Sequence, residues 1–237
     1  MFKKIISFLI LVFIFSSVTS GQEIIAPIVK VKSHPTLEID KIILTKDSTV
    51  FFMSIKNKLD SGGYFCVNRD VFINAPGSQL KYDMIKSTGI ESCPKVHKFK
   101  YAGETVSFRL TFPPLPSSFK EVDMIENCDD NCFYLKGIVL DQQLNDEMKI
   151  FEKAIMLFRE GKKKQAVNQF KYITDNSKYI KEKHYTYSLY IVPLLYYELG
   201  DYEAAKSAYY KIKNSDIEQK EYFINRLKSN EFFNSIK

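Results

Sequence analysis

FREGKKKQAVNQFKYI (residues 158–173) and YELGDYEAAKSAYYKI (residues 197–212) are two copies of one pattern, offset by 39 residues. In each copy a glycine is followed by an alanine, an aromatic residue and an isoleucine at fixed spacing. The glycine allows a turn, the small alanine lets two helices lie close together, and the aromatic ring fills the groove between them. The pattern therefore predicts repeated helix–turn–helix units. The repeat-defining residues are Gly161, Ala166 and Phe170 in the first copy and Gly200, Ala205 and Tyr209 in the second.

This spacing resembles that of the tetratricopeptide repeat, a helix pair of about 34 residues whose second helix carries such a glycine, alanine and aromatic residue. The resemblance implies an all-α, tetratricopeptide-like domain over residues 144–230. About five additional residues are expected in the connection TDNSKYIKEK, at residues 174–183, because the offset exceeds the usual repeat length. Pro193 stands where the family has a small residue, and it is expected to kink or restart its helix because proline lacks the backbone N–H.

A further helix is expected to cover the last apolar face of the repeats. It is predicted to run from Asp216 to about Leu227, because Ser215 and Glu218 have the spacing of a capping box. Residues 231–237 are expected to form a tail. The residues of this helix that can face the repeats are Ile217, Ile224 and Leu227.

The inner face of the repeats is the candidate binding surface. In tetratricopeptide proteins this face binds peptides or other proteins, and tyrosine suits contact surfaces because its ring is apolar and its hydroxyl polar. Tyr190 and Tyr197 are two helical turns apart, and one ring is expected to be exposed and the other buried. The alternative is that the rings only pack the repeats together or against the preceding half. The resemblance places these residues on the inner face: Phe158, Arg159, Tyr187, Tyr190, Leu194 and Tyr197.

The preceding half has the short period of a β-protein. Residues 37–143 contain short segments rich in β-branched and aromatic residues, separated by Gly, Pro, Asn and Asp. VSFRLTF (residues 106–112) alternates apolar and polar side chains, as a half-buried strand does. The pattern predicts an antiparallel, immunoglobulin-like β-sandwich, preceded by an N-terminal segment at residues 21–36.

Four short segments of this half occur in the same order in a family of β-domains. They are GIESCP (89–94), LTFPPLP (110–116), DMIE (123–126) and CFYLKGIVL (132–140). Together they resemble a β-domain of exported bacterial proteins that often precedes another module. The biochemical function of that family is not established, so the resemblance implies a location and a fold but no chemistry.

The N-terminus has the order of a secretory signal peptide over residues 1–20. Two lysines precede the apolar stretch IISFLILVFIF (residues 5–15), and SSVTS follows with small residues before a cut at Gly21. The apolar stretch is shorter than the roughly 20 residues of a membrane span. We expect an exported protein, periplasmic or extracellular, with no stable membrane span after cleavage.

Export favours disulfides among the four cysteines, because the compartments outside the cytosol are oxidising. Three pairings are possible. The favoured one joins Cys128 to Cys132 within ENCDDNC and leaves Cys66 to pair with Cys93. A redox pair or a metal site at ENCDDNC is the alternative, but no histidine stands at ligand spacing from it and a second cysteine pair of the zinc-knuckle type is missing.

Sequence patterns of catalysis and nucleic-acid binding are missing from this chain. It has no GxSxG elbow, no HExxH signature and no glycine-rich phosphate loop. The formal net charge of +6 is small and mixed in sign, which does not favour a nucleic-acid partner. We therefore expect a non-enzymatic protein without a cofactor or metal.

Protein–protein binding or scaffolding in the bacterial envelope is the predicted function, with another protein or a peptide as the partner. A second hypothesis assigns the binding to the β half, with a glycan or cell-envelope polymer as the ligand. A third is a thiol oxidoreductase that uses Cys128 and Cys132.

Overall fold

The chain consists of two modules, an antiparallel β half followed by an all-helical half. In the computed structural model, which describes residues 21–236, strands lie between residues 22 and 139 and helices between residues 142 and 234. This confirms the predicted fold class. The expected signal peptide at residues 1–20 lies outside the described residues.

The β half is built from short strands separated by turns. In chain order they are β1 (Gln22–Ile25), β2 (Val29–Lys32), β3 (Leu37–Leu44), β4 (Thr49–Lys56), β5 (Tyr64–Phe65), β6 (Val71–Asn74), β7 (Tyr82–Asp83), β8 (Lys86–Thr88), β9 (His97–Lys98), β10 (Thr105–Phe112), β11 (Glu121–Glu126) and β12 (Tyr134–Val139).

Ten of these strands form two five-stranded antiparallel sheets that share one core. The first sheet has the order β1-β3-β4-β10-β8 and the second the order β2-β12-β11-β6-β7, while β5 pairs with β9. Phe51 and Phe112 of the first sheet and Met124 and Leu135 of the second belong to one buried cluster. Burial alternates along β10, where Leu110 is buried between exposed or half-buried neighbours. The two sheets therefore pack face to face as a sandwich.

Residues 21–36, expected as an N-terminal segment before the sandwich, contribute two strands to it. β1 pairs with β3 at the edge of the first sheet, and β2 pairs with β12 at the edge of the second. Ile24 is fully buried in the shared core. β1 and β2 are short and lie next to a turn, so the sequence shows too little alternation of apolar and polar side chains to identify them as strands.

The helical half contains two helix pairs followed by two shorter helices. The helices are α1 (Gln142–Arg159), α2 (Lys163–Asn176), α3 (Lys183–Glu198), α4 (Tyr202–Lys213), α5 (Lys220–Lys228) and α6 (Glu231–Asn234). α1 packs on α2, α2 on α3, and α3 on α4. α3 continues as one helix through the buried Pro193, so the proline does not restart it.

The fifth helix begins later than the capping-box spacing predicted. It starts at Lys220, after Gln219 has adopted a left-handed backbone with φ of 60°. The hydroxyl of Ser215 donates to the carbonyl of Ile212 and so belongs to the end of α4. Ile217 is nevertheless buried in the helical core, as expected.

Residues 231–236, expected to form a tail, are part of the helical core. Asn230 caps α6 by accepting a hydrogen bond from the N–H of Phe232 at 2.9 Å. Phe233 is fully buried against α4, where its ring lies 5.7 Å from the ring of Tyr209. Two adjacent aromatic residues thus fix the end of the chain.

The two halves are joined by hydrogen bonds as well as by the chain. The side chain of Asn145, fully buried in α1, accepts from the N–H of Ile28 at 2.7 Å and donates to the carbonyls of Ile25 and Ala26. The hydroxyl of Tyr179 donates to Asp141 at 2.5 Å. Tyr179 lies in the connection between α2 and α3, so the additional residues expected there carry a contact to the start of α1.

Candidate functional site

An open groove runs along α1 and α3 to the start of α5. It consists of two adjoining cavities of about 390 and 690 Å³, and both are lined by Phe151 of α1 and Tyr187 of α3. Phe223 of α5 closes one end of the groove, and Met156 of α1 lies towards the other. We call this surface the helical groove.

Tyr187 is the aromatic centre of the helical groove. Its ring lies 5.7 Å from the ring of Phe151, 6.3 Å from that of Phe170 and 6.4 Å from that of Tyr190. The residue is still 37% exposed. Neighbouring rings therefore hold Tyr187 in place while part of it faces solvent, which suits a contact residue that loses little conformational entropy on binding.

Cationic side chains stand at both ends of the helical groove. Lys181 and Lys183 lie at the end near α5 and Arg159 at the other. Among the ion pairs formed within residues 21–236, none involves these three side chains. Glu152, Glu160 and Glu218 also line the groove. Glu160 is paired with Lys162, so within the same residues three unpaired cations stand against two unpaired carboxylates.

A buried histidine–carboxylate pair lies beneath the groove. The Nε2 atom of His184 is 3.3 Å from a carboxylate oxygen of Glu147, and both residues are buried. The other oxygen of Glu147 accepts from the side-chain amide of Gln143 at 3.3 Å. Because each side chain has a partner, the pair fixes α3 against α1.

Two of the six residues placed on the inner face from the sequence line the helical groove, namely Arg159 and Tyr187. Phe158 and Leu194 are half-buried and pack against the cluster between α1, α2 and α3. Tyr190 and Tyr197 lie further along α3, where the end of the chain covers them.

Neither Tyr190 nor Tyr197 is fully exposed or fully buried, so the expectation of one of each is wrong. The ring of Tyr190 lies 5.3 Å from that of Phe223, and its hydroxyl accepts from Arg226 at 3.0 Å. Tyr197 stacks on Phe232 at 5.2 Å. The hydrogen bonds to Tyr222 and Tyr190 raise the pKa of the Arg226 guanidinium. The C-terminal part of α3 is therefore covered on this face, and the open part lies around Tyr187.

The repeat-defining residues lie at matching places in the two helix pairs. Ala166 and Ala205 are fully buried, as are Phe170 and Tyr209. Gly161 and Gly200 have φ angles of 75° and 78°, a left-handed conformation that glycine adopts without strain. The two turns are thus built in the same way.

Both disulfides of the favoured pairing are formed in the β half. Cys66 is joined to Cys93, and Cys128 to Cys132. All four cysteines line one cavity of about 460 Å³ or lie next to it, together with Tyr64 and Glu126. The carboxylate of Glu126 accepts from the backbone N–H groups of Asn68 and Phe133, which fixes the loop before Cys128. Residues 21–236 hold no group of three or more potential metal ligands.

Sequence reasoning missed the contributions of Lys181, Lys183 and Phe223 to the helical groove. The two lysines belong to the inserted connection and Phe223 to α5, and the repeat pattern covers neither segment.

No helix between residues 21 and 236 combines the length and the apolar character that a membrane crossing requires. The chain matches no model of a known protein family, and no curated protein matches it.

Proposed function

We propose that this protein is a non-enzymatic binding protein of the bacterial envelope and that the helical groove binds a peptide segment of another protein. The observation that carries the proposal is the position of Tyr187, which is held by three neighbouring rings and still open to solvent. Preorganised aromatic side chains flanked by cations are typical of binding hot spots.

Tetratricopeptide-like repeats are part of the same proposal. Support comes from the two consecutive helix pairs and from the matching glycine, alanine and aromatic positions in each pair. In such repeats a peptide lies along the first helices of successive pairs, which correspond here to α1 and α3. Free cations at both ends of the groove favour a partner segment with acidic residues on either side of an apolar one.

A peptide-selection experiment tests the groove directly. A random peptide library is selected on immobilised protein comprising residues 21–237, and the affinity of enriched peptides is measured by fluorescence polarisation. Tyr187→Ala should weaken binding about tenfold or more, because truncation of a central aromatic residue costs more than about 1 kcal/mol at a hot spot.

The matched control is Tyr172→Ala, since Tyr172 is 53% exposed and lies on α2, away from the helical groove. It should leave the affinity unchanged. The proposal fails if no peptide is enriched, or if both variants bind as tightly as the parent protein while their melting temperatures are unchanged.

Export is proposed from the N-terminal pattern and is supported by the two disulfides, which persist in oxidising compartments. Fractionation of cells that express the full chain, followed by N-terminal sequencing, checks it. The expected product is outside the cytoplasm and begins at Gly21. Recovery of the full chain from the cytoplasm, with residues 1–20 attached, would contradict export.

A further inference from the structure

A row of side chains crosses the outer face of the first sheet. Strand pairing places Ile25 of β1 opposite Lys41 of β3, and Lys41 opposite Phe52 of β4. The row continues from Phe52 to Arg109 of β10 and from Arg109 to Thr88 of β8. These five residues, one from each strand, line a single cavity of about 440 Å³, which we call the sheet groove.

Phe52 lies between two cationic side chains in this row. The Nζ atom of Lys41 is 4.9 Å from the centre of the Phe52 ring, and the guanidinium carbon of Arg109 is 5.6 Å from it. Both distances are within the range of cation–π contacts. Phe52 thereby restricts the positions of two long side chains on a surface where they would otherwise be mobile.

The two cations differ in whether they are already paired. Lys41 forms an ion pair of 2.8 Å with Glu23 of β1. Arg109 has no carboxylate partner and its guanidinium donates no hydrogen bond within the part of the chain from residue 21 to residue 236, yet Phe52 holds it in the groove. A planar guanidinium with free N–H groups matches a carboxylate, because two parallel hydrogen bonds can form.

The rest of the sheet groove supplies groups that suit a sugar. Ser107 and Thr88 present hydroxyls, and Asp40 accepts a hydrogen bond from Ser54 at 3.0 Å. Ile25, which is 50% exposed, presents apolar surface to the C–H face of a ring. Asp40 lines the groove and Glu23 is paired with Lys41 at its edge, and this negative charge disfavours a polyphosphate or another dense polyanion.

We propose that the sheet groove binds a carboxylated saccharide and that the guanidinium of Arg109 holds the sugar carboxylate. The ligand chemistry is one negative charge per sugar ring, as in a uronic acid. This site is on the β half, so saccharide binding there does not depend on peptide binding in the helical groove.

Calorimetric titration of the protein, residues 21–237, with a panel of uronic acid trimers tests the proposal. The panel contains galacturonate, glucuronate, mannuronate and guluronate, each compared with a neutral hexose trimer and with acetate. At least one acidic trimer should bind about tenfold more tightly than its neutral counterpart and than acetate. Arg109→Gln should remove that preference, and Arg109→Lys should restore only part of it, because lysine keeps the charge but lacks the planar fork.

Arg69→Gln is the matched control, since it removes the same charge from an exposed position outside the sheet groove. It should bind the acidic trimer as the parent protein does. Failure of all four acidic trimers to bind more tightly than acetate overturns the proposal. So does an acidic preference that survives Arg109→Gln, or one that Arg69→Gln lowers to the same degree. Arg159→Gln, in the helical groove, should not alter saccharide binding.

Discussion

The side-chain oxygen of Asn145 accepts the backbone N–H of Ile28 at 2.7 Å, and the same side chain donates to the carbonyls on the other side of the turn that precedes Ile28. One amide thus satisfies both a donor and acceptors of the loop between β1 and β2. Because Asn145 belongs to the first turns of α1, the helical half is held to the N-terminal strands of the sandwich as well as to β12.

Asn145→Ala should destabilise the protein, because it leaves the part-buried donor at Ile28 without its partner. The free energy of unfolding should fall by about 1–3 kcal/mol. Denaturant unfolding followed by circular dichroism measures the change. Asn214→Ala is the control, since Asn214 is exposed at the end of α4, and it should change stability by less than about 0.5 kcal/mol. Equal effects of the two variants would contradict the structural role of Asn145.

Acid should weaken the contact between Asp141 and Tyr179. Burial works to raise the pKa of Asp141, but hydrogen bonds from the Tyr179 hydroxyl and the N–H of Leu144, with the charge of Lys178, outweigh it and hold the pKa below its usual range. The folded protein therefore holds the charged form more strongly than the unfolded chain does. The resulting stability is fully present above about pH 4 and is lost as the pH falls through the lowered pKa.

Asp141→Asn isolates this effect, because asparagine caps a helix about as well as aspartate does. The variant should be less stable than the parent protein at pH 7, and the difference should shrink as the pH is lowered towards 2. Thermal unfolding across that range measures it. A stability difference that is the same at pH 7 and pH 2 would show that the charge of Asp141 is not involved.

Ala205→Leu should overpack the contact between α3 and α4, because Ala205 is fully buried in the second helix pair. The expected loss in the free energy of unfolding is about 1–3 kcal/mol. Ser207→Leu introduces the same side chain at an exposed position of the same helix and should have little effect. Unchanged thermal stability of Ala205→Leu would mean that the repeat register is wrong.

The two disulfides should differ in what they contribute to stability. Cys66 and Cys93 are separated by 27 residues and Cys128 and Cys132 by 4. On the chain-entropy model the longer loop gives about 3.5 kcal/mol and the shorter about 2 kcal/mol. Replacing each pair by alanine and comparing the unfolding curves tests which disulfide contributes more.

Mass spectrometry of the unreduced protein should show both bridges, and free thiols at Cys128 and Cys132 would instead favour the thiol oxidoreductase hypothesis.

Tyr197→Ala should release the end of the chain, because the ring of Tyr197 stacks on Phe232 and lies 5.8 Å from that of Phe233. The expected loss of stability is about 2–4 kcal/mol, at or below the range for a fully buried aromatic residue. Hydrogen exchange should become faster in α6. If the variant keeps its stability and α6 stays protected, Phe233 alone is sufficient to anchor the helix.

The helix pairs could be predicted from the sequence because their signals are local. Gly200, Ala205 and Tyr209 lie within ten positions of one another, and each has a separate geometric role. The strands within residues 21–36 were not predicted, because β2 pairs with the remote β12 and a strand of four residues carries little periodicity of its own.

The extent of the groove could not be predicted, because it depends on where the end of the chain packs. Tyr190 and Tyr197 have the correct spacing to share a face with Tyr187, but Phe223 and Phe232 cover that face from segments outside the repeat pattern. The start of α5 could not be predicted from the sequence either. Ser215 and Glu218 have capping spacing, and the left-handed Gln219 between them and the helix decides the boundary.

The edge position of β2 has a consequence for the order in which the strands pair while the chain is synthesised. β2 is completed by β12, and Tyr134 N–H reaches Ser33 across a separation of 101 residues. A nascent chain that has not yet released residues 134–139 cannot close the second sheet, so β2 remains without its partner throughout that time. The helices that follow pack through contacts between residues that are close in sequence, and such contacts form quickly. Closure of the second sheet is thus the late event, and it requires that synthesis of the β half is complete.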